Sequence, residues 1–225
     1  MIKKYLNLII GSSLILLFVI WTILVKTIDV RPIGPLGSEV GLASFNQYFF
    51  NLIGYNNTLY KITDVLTYIF IVIALIFVVL AIYSIIEKRS IKKLNYRYYI
   101  LFSGYGIIVI TYILFELLKI NYRPVLIDNQ LEASYPSSHM LLSIFILLSA
   151  INMTNYLLKD KKIIRNIINI SLILLLVCNI VGRIISGVHW MSDIIGGAFV
   201  SLGVYFIYIY FNKYFNEKLE KENVL

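Results

Sequence analysis

The sequence holds only two histidines, His139 and His189, and each stands in a short polar segment between long apolar runs. His189 is followed four residues later by Asp193, within Gly182-Arg183-Ile-Ile-Ser-Gly187-Val-His189-Trp-Met-Ser-Asp193. Four residues is one helical turn. The carboxylate is therefore expected to accept a hydrogen bond from one imidazole nitrogen, which fixes the tautomer and frees the other nitrogen as a nucleophile. His139 closes the segment Tyr135-Pro136-Ser137-Ser138-His139. With an ordinary pKa of about 6.5 it can protonate a departing oxygen near neutral pH. Arg123, in Glu116-Leu-Leu-Lys119-Ile-Asn-Tyr-Arg123-Pro124, and Arg183 offer planar forks matched to phosphate oxygens. Ser137 can donate from its hydroxyl, and the helix that begins beside it adds free N–H groups and the positive end of a dipole.

Each piece has a plainer reading alone. Arg-Pro after an apolar helix is a snorkelling anchor and a helix stop, which is how Arg31-Pro32 is read. Pro-Ser-Ser-His is a helix start with Ser as its cap, and a His and an Asp four apart form a surface pair. Together they point to phosphoryl transfer, where catalysis is mostly positioning and charge stabilisation. Metal use is not expected. Magnesium wants convergent carboxylates, and zinc wants at least three ligands.

The elements that must carry these residues are membrane spans. Of 225 residues, 60% are hydrophobic and 14% charged, against about 45–50% and about 25% in soluble domains. A span needs about 20 mostly apolar residues. Stretches near Tyr5–Val25, Ile62–Ile86, Tyr99–Leu118, Met140–Leu158, Ile167–Ile185 and Ile194–Phe211 qualify. The fold class expected is all-α, a six-transmembrane-helix bundle forming a single domain over residues 1–225. The first run is too long for a signal-peptide core and no small-x-small cleavage site follows, so it reads as a retained span. Cys178 lies in an apolar run, and a lone cysteine makes no disulfide framework.

A formal net charge of +8 suggests a nucleic-acid partner until the charges are placed. With six alternating spans, Lys3, Lys4, Lys88, Arg89, Lys92, Lys93, Arg97, Lys159, Lys161, Lys162, Arg165, Lys213, Lys218 and Lys221 all fall on one side. The positive-inside bias makes that side and both termini cytoplasmic. The basic excess is an orientation signal, and no nucleic-acid partner is expected. Arg123, His139, Arg183, His189 and Asp193 then share the extracytoplasmic helix ends, where ionisable groups are costly and usually functional. The long outer connector near Thr27–Lys61 reads either as a lid or interfacial helix, with Phe45, Tyr48, Phe49 and Phe50 as its aromatic face, or as a solvated loop.

Together these segments resemble the type 2 phosphatidic acid phosphatase superfamily, the lipid phosphate phosphatases, related in their site to vanadium haloperoxidases. That family's signature is Lys-x6-Arg-Pro, Pro-Ser-Gly-His, and Ser-Arg-x5-His-x3-Asp. Arg123-Pro124 matches the end of the first, Pro136-Ser137-Ser138-His139 the second with one change, and Arg183, His189 and Asp193 the third at full spacing. The resemblance implies a phosphohistidine mechanism without cofactor or metal, with His189, His139 and Asp193 catalytic. Arg123, Arg183, Ser137 and Ser138 would bind the phosphate of a membrane lipid. Three positions depart from the signature. Glu116 occupies the family's lysine position and Lys119 follows one turn later, within expected reach of the phosphate. Ser138 replaces Gly but keeps the N–H donor, and Gly182 replaces Ser.

The candidate substrates are undecaprenyl diphosphate, phosphatidylglycerophosphate and phosphatidate. Abundant Ile, Asn, Lys and Tyr suggest an AT-biased bacterial genome and lean toward an envelope carrier lipid. Transfer of the phosphoryl group to another acceptor, a non-enzymatic lipid transporter, and an inactive scaffold remain the alternatives, and oligomeric state is not legible.

Overall fold

The computed structural model describes residues 2–222, with side chains described over residues 4–220. Lys3 and Lys221, two of the basic residues placed on the expected inner side, lie outside the described side chains. Seven helices follow in order: α1 (Ile2–Thr27), α2 (Ala43–Ile53), α3 (Asn57–Lys88), α4 (Tyr96–Leu118), α5 (Ser138–Leu157), α6 (Lys162–Ser186) and α7 (Met191–Glu222). Six of them, all but α2, are long and apolar enough to cross a membrane. Among the described residues there is no strand, only isolated bridges. The all-α class and the six-span count expected from the sequence are those observed.

Side-chain caps set several boundaries. Asn56 accepts from the Leu59 N–H at 3.0 Å to open α3, and Asn95 accepts from the Arg97 N–H at 3.0 Å to open α4. Arg89, Lys119 and Gly187 close α3, α4 and α6 in the left-handed conformation. The α3–α4 and α5–α6 junctions lie at one end of the bundle, opposite the α4–α5 and α6–α7 junctions that carry the histidines. Lys88, Lys92, Lys93, Arg97, Lys159, Lys162 and Lys213 therefore lie at helix ends remote from the histidines.

The core is centred on α5, which packs against α3, α4, α6 and α7. Leu141, Phe145, Leu147 and Met153 are fully buried along it. The outer helices instead show Ile20, Val72, Ile110 and Ile170 to the outside. An apolar side chain there needs lipid around it. α1 lies along α7, where Gly11 and Gly203 let the backbones approach; a Cβ on Gly11 would stand 2.8 Å from the Gly203 carbonyl oxygen.

The first long connector settles between its two expected readings as a helix. α2 packs on α6 and α7, with Phe50 against Trp190 at 5.5 Å between ring centroids. Asn46 is buried; it donates to Ser192 Oγ at 2.9 Å and accepts from the Ser192 N–H at 3.0 Å. The connector clamps the α6–α7 turn.

Candidate active site

Two irregular segments complete the site. After α4, the chain runs out and back through a tight turn in which Asp128 and Asn129 are both left-handed, a two-residue turn type that suits Asp and Asn. The returning arm is tied to the outgoing one by Arg123 N–H to Glu132 O at 3.0 Å and Ser134 N–H to Asn121 O at 2.9 Å. Tyr135 follows, stacked on Phe18 and meeting Phe115 edge-on, with its hydroxyl 2.7 Å from Thr22 Oγ1. The Tyr135–Pro136 peptide is cis. Gly196 and Gly197 of α7 make room for this segment, since a Cβ on Gly197 would meet the Ser137 carbonyl oxygen at 2.9 Å. Ser137 then donates its N–H to the Asp193 carbonyl at 3.0 Å, so the start of α5 is fixed against the start of α7.

The α6–α7 turn presents the second histidine. Gly187 ends α6 with φ 62° and lies so close to Gly54 that a Cβ would stand 1.8 Å from its carbonyl oxygen. His189 is 5% exposed and Asp193 fully buried. The direct hydrogen bond expected between them is not what holds the imidazole. His189 Nδ1 lies 2.9 Å from Ser134 Oγ, and Ser134 Oγ donates to Asp193 Oδ2 at 2.6 Å. The reason is that Asp193, in the first turn of α7, turns its carboxylate to other donors. It accepts from the Trp190 N–H and from Asn121 Nδ2, each at 3.1 Å, and from Ser192 Oγ at 3.3 Å. Four donors around one carboxylate satisfy its oxygens and fix its orientation. Burial, then the charges of Arg123, Arg183 and His139, holds the His189 imidazole well below its ordinary pKa, so it is neutral near pH 7.

His139, at the start of α5, sits with its ring centroid 6.4 Å from that of His189. Arg183 is fully buried; its Nη2 contacts the His139 imidazole and its Nη1 donates to Thr63 Oγ1 at 3.1 Å. Asp64 of α3 stands 3.2 Å from His139 Nε2 and 3.7 Å from Arg183 Nη2. The Tyr60 ring underlies both guanidiniums, at 6.0 Å from Arg123 and 5.5 Å from Arg183. Arg123 Nε pairs with Glu132 Oε2 at 3.1 Å.

The cleft in front of these groups, about 230 Å³, is lined by Tyr112, Glu116, Arg123, Ser134, Ser138 and His189 among others. Two of the lining residues carry buried atoms without a protein hydrogen-bond partner, Arg123 Nη1 and His189 Nε2, and Ser137 Oγ and Arg183 Nε are likewise unpartnered. Such atoms are uncommon and call for an explanation. Ser137 does occupy the N-cap position of α5, but its hydroxyl makes no capping bond. Among the described residues, no three His, Cys, Asp or Glu side chains form a group able to hold a metal ion.

The structure thus brings together Arg123, Ser137, Ser138, His139, Arg183, His189 and Asp193. Lys119 stands apart from them. It is the left-handed C-cap of α4, exposed, and does not line the cleft, whereas Glu116 does. Sequence reasoning missed Ser134, Asn121 and Asn46, and all of the α3 contribution, namely Tyr60, Thr63 and Asp64.

No curated protein matches the sequence significantly. Among solved structures, the fold is similar to that of the first transmembrane PAP2 type phosphatidylglycerolphosphate phosphatase from Bacillus subtilis. The TM-score is 0.60 at 17% identity, over 92% of this chain and 96% of that one. The model of the PAP2 superfamily matches residues 101–217, which include every residue of the three motif segments. With that match over more than half its length, the chain belongs to the PAP2 superfamily.

Proposed function

We propose that the protein is an integral-membrane lipid phosphatase that works through a phosphohistidine on His189. The observation that carries this reading is the set of buried, unpartnered polar atoms on Arg123, Ser137 and Arg183 beside the unpartnered His189 Nε2. Three are donors suited to phosphate oxygens, and the fourth is a lone pair suited to phosphorus. His189 Nε2 attacks phosphorus, the bond from phosphorus to the lipid oxygen breaks, and that oxygen takes a proton from His139. Water then attacks the phosphohistidine. The phosphorus–nitrogen bond breaks with its electron pair returning to Nε2, and the proton lost by water restores His139. Arg123, Arg183, Ser137 and the first N–H groups of α5, Ser138 included, hold the charge that builds on the equatorial oxygens. No metal enters this scheme.

The substrate reading follows from place. The cleft is bounded by Tyr112, Phe115 and Glu116 at the end of a membrane-spanning helix, where a lipid head group meets water. Phosphatidylglycerophosphate, phosphatidate and undecaprenyl diphosphate all present a phosphate at that level. The basic residues at the remote helix ends support an extracytoplasmic site and cytoplasmic termini. The test is inorganic phosphate release by the detergent-purified chain on these three lipids, with chelator present and with His189→Ala alongside. Release that survives the chelator and vanishes in the variant supports the reading. No release from any of the three, or equal release by the variant, contradicts it.

A further inference from the structure

We propose that Ser134 is a positioning residue for the nucleophile, transmitting the hold of Asp193 to His189 through its hydroxyl. This rests on the phosphohistidine reading above. A serine hydroxyl has one proton and two lone pairs. Ser134 spends that proton on Asp193 Oδ2 at 2.6 Å, a carboxylate that also accepts from Asn121, Ser192 and the Trp190 N–H. At 2.9 Å, Ser134 Oγ can therefore only accept from His189. The imidazole proton is fixed on Nδ1, and the lone pair is fixed on Nε2, the ring atom with no protein partner.

The hydroxyl is itself held in place. Ser134 is 3% exposed, its N–H is tied to Asn121 O, and the next residue is the wedged Tyr135. The side chain of Asn121 donates to the same carboxylate, so one residue braces both Ser134 and Asp193. When Nε2 bonds to phosphorus, positive charge spreads to Nδ1 and the bond to Ser134 strengthens. No proton needs to move along the chain: Nδ1 keeps its hydrogen and Ser134 keeps its own. Without the hydroxyl, Nδ1–H loses the acceptor that ties it to Asp193, and the tautomer that places the proton on Nε2 and blocks attack becomes competitive.

The test uses the full chain in detergent and whichever panel lipid the wild type hydrolyses. The variants are Ser134→Ala, Ser134→Cys, Asp193→Asn and the double variant Ser134→Ala/Asp193→Asn, each checked for folding by thermal melt. Ser134→Ala is expected to lower kcat by about 10–100-fold, the usual cost of losing a partner that orients a histidine, with little change in KM. Ser134→Cys keeps the space with a weaker hydrogen-bonding group and is expected to fall between. The double variant should lose no more than the worse single one, because groups acting as one unit are not additive. Wild-type kcat in the folded Ser134 variants, or fully additive losses, overturns the proposal. An inert His189→Ala beside an unimpaired Ser134→Ala removes the Ser134 role alone; an active His189→Ala removes the phosphohistidine reading as well.

Discussion

The α6–α7 turn and the head of α3 both touch the reactive side chains, but they are built differently. The turn is closed on every side: Asn46, Asn121, Ser134, Ser192 and Trp190 all bond to it or within it. The head of α3 meets the site through Thr63 on Arg183, the Tyr60 ring under both guanidiniums and a single carboxylate, Asp64, whose side chain is 46% exposed. A buried network loses much when one member goes, whereas a half-exposed ion pair is worth little. The proposed nucleophile is therefore held by a closed network, whereas the proposed proton donor, His139, is held by buried Arg183 on one side and half-exposed Asp64 on the other.

That difference is open to direct attack. Asp193→Asn is expected to reduce phosphate release by about 10³-fold or more, as the loss of a buried carboxylate does in a catalytic triad, while Asp64→Asn costs about tenfold, the usual modest yield of an exposed pair. Equal losses in a steady-state assay would erase the contrast. Arg183→Lys comes next. Lysine keeps the charge but cannot serve Thr63 and the His139 ring together, and a drop of about 10–100-fold in kcat/KM is expected for losing a planar fork.

The pH profile sharpens the comparison from the other side. As the proposed nucleophile, His189 can attack only when neutral. Because burial lowers its pKa, release should persist as pH falls through the ordinary histidine value of about 6.5 and fail only below it. An acid limb at or above 6.5 would mean that the turn is not closed to water. The smallest effect belongs to Thr63→Val, which removes the 3.1 Å bond from Arg183. At about 1 kcal/mol for a hydrogen bond, a loss of roughly fivefold in kcat/KM is expected.

The same contrast explains what the sequence reveals. Arg183, His189 and Asp193 sit within one helix end, one turn and the next helix start, so local spacing forecasts their neighbourhood but not the Ser134 hydroxyl that stands between His189 and Asp193. The six spans are legible because lipid demands uninterrupted apolar length. Tyr60, Thr63 and Asp64 fall at the head of a helix that reads as an ordinary span, and only its packing on α5 and α6 brings them to Arg183. Ser134 looks like one more loop serine, because its partners lie 55 and 59 residues away. Lys119 fails in the opposite way. Helical spacing places it one turn beyond Glu116, but α4 ends there and the left-handed cap breaks the geometry on which that spacing depends. Arg31, read as an inert anchor, pairs with Asp29 at 2.9 Å on the surface, away from the chemistry.

A phosphorus–nitrogen bond survives alkali, and that property gives the most direct measurement. The wild-type chain, mixed with lipid carrying radiolabelled phosphorus and quenched in base during turnover, is expected to retain label on the peptide containing His189, and His189→Ala to retain none. Label on another residue, or steady phosphate release with no labelled protein at any quench time, would contradict the account.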